Sequence, residues 1–379
     1  MRRTRIQIAI LLIAWFVIGW LARGWLQPPL NSEMQLVAQV GDAISAQAYG
    51  PLPATRDMTY AAIRGMLDSL NDKYAVFFDP LAAARDALSL QGEDAVIGLR
   101  GEMQANQFVV VAVLPDEPAA QAGLQIGDII TAVDGWPVKD DSAYFEVTSM
   151  IRGPIGSVAH LTLRRGNQTL VVDVPRSPAQ DVITRTLASG IGYVRLDRFT
   201  DQSPQQMDAA LRQLLATRPP ALIWDLRYNG GGLMSSTQQV LDLFLDEGIA
   251  FYARTNSGQL IPYPTQSGGI AEKIPLVVLI GPQTYSASET AAAAIADRER
   301  GQLIGAVTHG KGSIVTTIKL LDGSALRLTV ARWLSPVHQR SFEGEGVPPD
   351  SAVPTTDQGA TEDVVLQRAV DWLVATQSQ

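Results

Sequence analysis

The chain has 379 residues, of which 46% are hydrophobic and 18% are charged, and this composition predicts a packed protein of two or three domains rather than a disordered chain. The net charge is −8 without a dense lysine and arginine face, which argues against a nucleic-acid partner. The chain contains no cysteine, which excludes disulfides, thiolate catalysis and cysteine-based zinc sites.

The N-terminus carries a basic group followed by an apolar run. Arginines occupy positions 2, 3 and 5, and residues 6–22 are apolar apart from Gln7. A run of about 17 residues is near the lower limit for crossing a bilayer, and arginines before it favour a cytoplasmic N-terminus. We therefore expect residues 1–30 to be a single-pass anchor in the cell membrane that leaves the remainder outside the cytoplasm, in a periplasmic or extracellular space. A cleaved signal peptide is the alternative.

Residues 31–90 are predicted to form a helical region. Apolar residues recur at three- and four-residue spacings over residues 33–48 and 59–70, and a turn follows near residue 71. We expect an N-terminal helical arm, which either packs on the molecule or holds two copies together as a homodimer.

Residues 91–176 are predicted to form a small β-rich module. Short strands alternate with turns, and residues 118–124 form a short helix that ends at a glycine. The predicted strands cover residues 96–100, 108–113, 128–133 and 159–164. Modules of this kind bind a peptide by adding it as an extra strand.

Residues 177–350 alternate between apolar strands and helices, a pattern that predicts an α/β fold with helices packed on a layered sheet. The predicted strands cover residues 192–196, 221–226, 276–280, 302–307, 316–320 and 325–330, and the helices cover 203–216, 233–245 and a segment that opens at Ser286. The last segment, residues 351–379, is expected to hold an amphipathic helix.

Ser286 is the candidate nucleophile. It follows the buried strand at 276–280 and opens a helix, which is where α/β folds place their sites. Free N–H groups and the helix dipole favour negative charge there, so the position suits an oxyanion. The alternative is structural, because residues 286–289 (S-A-S-E) also fit a capping box in which the serine only caps the helix.

Lys311 is the candidate base and lies between two glycines, 25 residues after Ser286. The pKa of a lysine is ordinarily near 10.4, but burial in a cleft lowers the pKa enough for the amine to accept a serine proton. An ordinary exposed turn lysine is one alternative. A phosphate-binding loop at residues 305–311 is another, but Gly312 stands where the motif needs Ser or Thr, and a strand follows instead of a helix.

Two further features bear on the chemistry. Residues 230–232 are three glycines between a strand and a helix, and such a turn either supplies an oxyanion donor or is merely tight. His309 allows a triad with Ser286 and Asp297 as an alternative to the lysine. The three histidines of the chain are far apart and form no zinc motif, so we expect no metal and no cofactor.

Over about residues 31–350 the chain resembles the C-terminal processing peptidases, or tail-specific proteases, of serine peptidase family S41. The resemblance is carried by S-A-S-E at 286–289, G-K-G-S at 310–313, and D-L-R at 225–227 with the glycine turn. It implies a ClpP/crotonase-like α/β catalytic core. The roles it implies are nucleophile for Ser286, general base for Lys311, backbone oxyanion donors for Gly231 and Ala287, and a supporting acid for Asp297.

The β-rich module resembles the PDZ domain that is inserted in this family. Ile97, Gly98 and Leu99 match its carboxylate-binding loop, and Arg152 matches an arginine that is linked to gating of the active site. The resemblance therefore implies a serine endopeptidase that acts on protein or peptide substrates recognised by their C-terminal tails.

Two positions depart from the family pattern. Val315 stands where the family has a glutamine that orients the lysine, and Gly230 stands where a proline is common. Because a valine side chain cannot form a hydrogen bond, a catalytically weak or inactive peptide-binding scaffold is the alternative function.

Overall fold

A computed structural model describes residues 32–114, 117–139, 144–353 and 363–377. The expected membrane anchor at residues 1–30 lies outside them. Within the described ranges, no helix combines the length and apolar character needed to cross a membrane.

The chain divides into two compact units, residues 1–69 and 70–379. The first contains helices α1 (Ser32–Gln47) and α2 (Thr55–Asp68). Both were expected from the apolar spacing, although α2 begins four residues before the predicted residue 59.

The second unit begins with a strand that the sequence did not reveal. Strand β1 (Val76–Phe78) and helix α3 (Pro80–Gln91) fall in the region expected to be a helical arm. β1 is instead buried at all three positions and pairs antiparallel with a strand of the main domain, with Val76 opposite Arg327. The helical arm is therefore shorter than residues 31–90. The sequence does not predict β1, because a V-F-F run of three residues is too short to show the apolar period of a strand.

The PDZ-like domain is built on an antiparallel sheet. Its elements, in chain order, are β2 (Ala95–Val96), β3 (Leu99–Gln104), β4 (Gln107–Val113), α4 (Pro118–Gln121), β5 (Ile129–Val133), β6 (Trp136–Pro137), α5 (Tyr144–Ile151), β7 (Val158–Arg165), β8 (Gln168–Pro175) and β9 (Ser177–Pro178). The sheet order is β3-β4-β5-β7-β8, with β6 on β5. β2 pairs with β9 where the chain enters and leaves the domain, which is the geometry of an insertion.

The core domain is built from β10 (Val182–Thr186), β11 (Gly192–Leu196), α6 (Ser203–Ala216), β12 (Leu222–Asp225), α7 (Met234–Leu241), β15 (Leu276–Ile280), α8 (Ala287–Asp297), β16 (Gln302–Gly305), β19 (Ser351–Ala352) and α9 (Val364–Gln377). Its strands form a mainly parallel sheet of order β10-β11-β12-β15-β16-β19. Helices α6, α7 and α8 cover one face and α9 covers the other, so the central strands are buried on both sides.

A second sheet of the core lies beside the turn that carries Lys311. It contains β13 (Gly248–Thr255), β14 (Leu260–Thr265), β17 (Ser313–Lys319) and β18 (Ala325–Leu334), in the order β1-β18-β13-β14, with β17 on β18. β17 starts two residues after Lys311, so this sheet fixes the backbone that presents the lysine.

Candidate active site

Ser286 lies immediately before α8 in a strained backbone conformation. Its φ is 59° and its ψ is −118°, a region that non-glycine residues rarely adopt. Ser286 and Glu289 form the predicted capping pair, with the Ser286 N–H donating to Glu289 Oε2 at 2.7 Å. The Glu289 N–H donates to the Ser286 carbonyl oxygen at 2.8 Å and also faces the Ser286 side chain, which completes the capping box. The capping box that the sequence predicts is therefore present.

The turn that carries Ser286 is tied to the glycine turn on the neighbouring strand. Thr284 Oγ1 donates to the Leu226 carbonyl at 2.8 Å. The Tyr285 N–H and Ser288 Oγ both donate to the Asn229 carbonyl, at 3.0 and 2.7 Å. These bonds place the end of β12 beside the start of α8.

Gly231 packs directly against the backbone at Ser286. Its φ is 85°, and a Cβ added there would lie 2.6 Å from the Tyr285 carbonyl oxygen, so only glycine fits. The Gly231 N–H donates to Asn229 Oδ1 at 2.8 Å, and must exchange that bond before it can serve an oxyanion. The Ala287 N–H makes no hydrogen bond within the described residues and is ready to donate.

Lys311 is buried, with 2% of its surface exposed. Its Nζ lies 4.3 Å from the ring centroid of Tyr74 and 5.0 Å from that of Tyr285, within cation–π range. The Lys311 carbonyl accepts a hydrogen bond from Trp333 Nε1 at 2.9 Å, which fixes the backbone. The alternative of an exposed turn lysine is therefore wrong. The alternative of a phosphate-binding loop is also wrong, because β17 begins at Ser313 where such a loop needs a helix.

The pKa of Lys311 is lowered to about 7, chiefly by burial and further by the positive charge of Arg327. The carboxylates of Glu343, Glu289 and Asp72 oppose that decrease. A lysine with this pKa is largely neutral above pH 7, and a neutral amine can accept a proton.

One cavity of about 430 Å³ joins the predicted residues of the core to those of the PDZ-like domain. Its lining includes these residues named in the sequence analysis: Ser286, Lys311, Gly230, Gly231, Val315, Arg152, Ile97, Gly98 and Leu99. Val315 thus lies at the site, although its side chain offers the lysine no hydrogen bond.

Asp297 and His309 do not belong to this cavity lining. Asp297 ends α8, where its Oδ2 accepts hydrogen bonds from the N–H groups of Val337 at 2.6 Å and His338 at 3.0 Å, and its Oδ1 contacts the His338 ring. Burial raises the pKa of Asp297, but the bonds from His338 and Val337 outweigh it and lower the pKa below its ordinary value. The Ser286–His309–Asp297 triad is therefore wrong, because Asp297 is bonded to a different histidine.

Residues 97–99 of the PDZ-like domain, which are expected to bind a carboxylate, line the same cavity as the core residues. The Ile97 and Gly98 carbonyls accept hydrogen bonds from the N–H groups of Ala119 and Leu114, at 2.7 and 2.8 Å. The Gly98 N–H has no hydrogen-bond partner in the described part of the chain, which leaves a donor for a carboxylate. Arg152 Nε lies 3.5 Å from Asp94 Oδ2.

Sequence reasoning missed the two tyrosines around Lys311. Tyr285 directly precedes the candidate nucleophile Ser286, and this position in the sequence could have indicated that Tyr285 lies at the site. Tyr74 reaches the lysine only through the pairing of β1 with β18, and a single sequence carries no signal for such a distant contact.

Comparison with known proteins agrees with this architecture. Residues 190–353 match the model of peptidase family S41, and residues 95–175 match the model of the PDZ domain. The photosystem II D1 C-terminal processing protease has a similar structure, with a TM-score of 0.65 and 28% identity over 86% of this chain and 94% of that one.

Curated relatives carry related names. A carboxy-terminal-processing protease of Bartonella bacilliformis is 32% identical over 85% of this chain and 76% of its own length. The carboxyl-terminal-processing protease of Picosynechococcus is 30% identical over 86% and 81%, respectively. A chloroplastic carboxyl-terminal-processing peptidase 2 of Arabidopsis thaliana is 32% identical over 79% of this chain, which spans 61% of that relative's length.

The chain has an α/β core, an inserted PDZ domain and one cavity lined by both. This is the architecture of a class of processing peptidases. The chain belongs to peptidase family S41, and with it to the serine-type hydrolases.

Proposed function

We propose that the chain is a serine endopeptidase that cleaves protein substrates recognised by their C-terminal tails, with Ser286 as nucleophile and Lys311 as general base. The observation that carries the proposal is that both residues line one cavity, where Lys311 is buried with its pKa lowered to about 7. Neutral Lys311 is able to act near physiological pH.

The proposed reaction has two balanced steps. Ser286 Oγ attacks the peptide carbonyl while its proton passes to Lys311 Nζ, and the tetrahedral oxyanion accepts hydrogen bonds from the Ala287 and Gly231 N–H groups. The C–N bond then breaks, and the ammonium of Lys311 gives its proton to the leaving amine. Water attacks the acyl-enzyme, its proton passes to Lys311 and on to Ser286 Oγ, and the carboxylic acid leaves.

The PDZ domain supplies the substrate preference in this proposal. Ile97, Gly98 and Leu99 would bind the terminal carboxylate of a substrate, and Arg152 lines the same cavity as both the loop and Ser286. A tail bound at the loop is therefore held close to the catalytic pair, which supports a gating role for Arg152.

The location of the enzyme is a separate proposal that rests on residues 1–30. A basic N-terminus before an apolar run supports a membrane anchor, with the peptidase outside the cytoplasm. Protease accessibility of the full chain in intact cells tests it, and an inaccessible peptidase would contradict it. A homodimer through the N-terminal helices is a further expectation, which sedimentation of the full chain tests.

The activity is tested with the full chain in detergent and an unfolded protein as substrate. Ser286→Ala and Lys311→Ala should each lower cleavage by about three orders of magnitude or more, as for other catalytic units, while His309→Ala should keep it. If wild type binds C-terminal peptides without cleaving, the chain is the inactive scaffold that Val315 suggests. Loss in His309→Ala with Lys311→Ala active would contradict the lysine role.

A further inference from the structure

Glu289 is a fully buried carboxylate in the first turn of α8, with 0% of its surface exposed. A buried carboxylate is costly unless hydrogen bonds satisfy both of its oxygens. Here each oxygen accepts two. Oε1 accepts from Thr308 Oγ1 and from the Gly310 N–H, both at 2.6 Å. Oε2 accepts from the Ser286 N–H at 2.7 Å and from the Lys311 N–H at 2.8 Å.

These four donors come from two turns that follow different strands. Ser286 follows β15, whereas Thr308, Gly310 and Lys311 follow β16. A single atom, Glu289 Oε2, therefore joins the backbones of both proposed catalytic residues. The His309 N–H also links the turns by donating to the Thr284 carbonyl at 3.1 Å, but that bond reaches neither Ser286 nor Lys311.

We propose that Glu289 is a positioning residue that fixes the backbone of Ser286 against that of Lys311 and so sets the approach of the hydroxyl to the amine. The proposal rests on the proposed function of these two residues. Glu289 acts through them and does not contact substrate. The role extends beyond helix capping, because three of the four donors lie outside α8 and its N-cap.

The chemistry of the four donors requires a carboxylate at this position. A glutamine has one carbonyl oxygen and one NH₂ group, and in either orientation the NH₂ group faces at least one backbone N–H. With the NH₂ group toward Thr308, Glu289→Gln loses the bond to the Gly310 N–H and leaves Ser286 and Lys311 with a neutral, weaker common acceptor. With the NH₂ group toward Ser286, the two turns lose their common acceptor.

The test uses the full chain in detergent and a fluorophosphonate probe that reacts with the serine hydroxyl. For Glu289→Gln, the rate of Ser286 labelling and kcat should both fall by about tenfold or more, because hydrogen bonds to a charged group are lost. KM should change by less than about twofold, since substrate contacts remain. The acidic limb of the pH profile should also move to lower pH, because the Glu289 charge raises the pKa of Lys311.

Glu343→Gln is the matched control. Glu343 also raises the pKa of Lys311, and its Oε2 accepts one hydrogen bond from the Gly312 N–H at 3.0 Å without any bond to Ser286. This variant should move the acidic limb in the same direction while lowering the plateau of kcat far less than Glu289→Gln. Equal plateaus in the two variants would overturn the positioning role and leave only a charge effect.

Folding and function are separated by two further measurements. Circular dichroism shows whether Glu289→Gln is folded. If it is not, Thr308→Val decides, because it removes one donor to Glu289, together with the acceptor of the Val347 N–H, and leaves the carboxylate charged. A Thr308→Val protein that labels at the wild-type rate would then overturn the proposal. If wild type itself neither labels nor cleaves, the proposed function fails; if wild type and folded Glu289→Gln label equally, only the role of Glu289 fails.

Discussion

Lys311 changes its protonation state near neutral pH because burial lowers the pKa of its amine to about 7. The base must be neutral, so kcat/KM should rise about tenfold per pH unit below pH 7 and level off above it. The measurement is kcat/KM from pH 5 to pH 9 with a short peptide substrate. His309→Ala should keep the same limb. A profile that is flat over this range, or a limb that moves in the histidine variant, would contradict Lys311 as the base.

Tyr74 maintains the burial of this amine. Its ring favours the ammonium by about 0.5 to 2 kcal/mol, which is less than the several kcal/mol by which burial disfavours it. Tyr74→Ala should therefore admit water and move the acidic limb of kcat/KM to higher pH. Tyr74→Phe keeps the ring and should keep the limb. An unchanged limb in the alanine variant would show that other groups exclude water from Lys311.

Val315 and Lys311 line the same cavity, and the family resemblance places a hydrogen-bonding glutamine at position 315. Val315→Gln should raise kcat by about two- to tenfold, the worth of one hydrogen bond of about 0.5 to 1.5 kcal/mol. Steady-state kinetics at pH 8 measures it, with Val315→Leu as the apolar control. A lower kcat in the glutamine variant would indicate that the two tyrosines already hold Lys311 in its best position.

At the scale of elements, α8 is anchored at its C-terminal end by Asp297. The carboxylate accepts two N–H bonds from residues 337 and 338 and contacts the His338 ring. Asp297→Asn should lower the free energy of unfolding by about 1 to 3 kcal/mol and leave kcat/KM within about threefold. Chemical denaturation and peptide cleavage measure the two effects. A large loss of kcat with unchanged stability would restore the supporting catalytic role expected from the sequence.

The same anchor has a defined pH dependence. The pKa of Asp297 is below its ordinary value in the folded chain, so its contribution to stability is present above the ordinary pKa of an aspartate and disappears as the pH falls. Wild type and Asp297→Asn should therefore unfold at more similar denaturant concentrations near pH 3.5 than at pH 7.

Elements with strong local patterns could be predicted from the sequence, and the others could not. β15 is a continuous apolar run buried at all five positions, and α8 opens with an evident capping pair. The sequence does not predict the hairpin of β13 and β14. Exposed apolar residues such as Leu260 and Ile261 interrupt the alternation of apolar and polar residues along its strands. For the site, local motifs identified Ser286 and Lys311, whereas the contacts of Glu289 and Tyr74 depend on turns that only the folded sheet brings together.

At the scale of the molecule, the cavity depends on how the PDZ domain is joined to the core. Arg100 of β3 donates through Nε to the Tyr228 carbonyl at 2.9 Å, next to the glycine turn. The sequence predicts both domains but not this hydrogen bond between them. Arg100 and Tyr228 lie far apart in the chain, and an ordinary surface arginine has the same local sequence pattern. Arg100 directly follows residues 97–99, so this hydrogen bond connects that loop of the PDZ domain to the backbone beside the glycine turn.

The connection between the PDZ domain and the core is stabilised by Arg198, which is buried with 7% of its surface exposed. It contacts Asp181 at 2.6 Å, Asp94 at 2.8 Å and Ser89 Oγ at 3.1 Å, and so connects α3, the entry to the PDZ domain and the segment before β10. Burial raises the pKa of Asp94, but the charges of Arg198 and Arg152 outweigh it and leave the pKa below its ordinary value.

Arg198→Met should therefore leave two buried carboxylates without their main partner and lower the free energy of unfolding by about 3 to 5 kcal/mol at pH 7.5. Replacing both carboxylates as well, in Asp94→Asn/Asp181→Asn/Arg198→Met, should recover part of that loss because no buried charge is then left alone. The difference between wild type and Arg198→Met should shrink as the pH falls through the ordinary pKa of an aspartate, since protonation removes the charge that Arg198 neutralises. Denaturant unfolding at pH 7.5 and pH 3 measures all three. An Arg198→Met protein within about 1 kcal/mol of wild type at pH 7.5 would show that water or Arg152 replaces the lost partner.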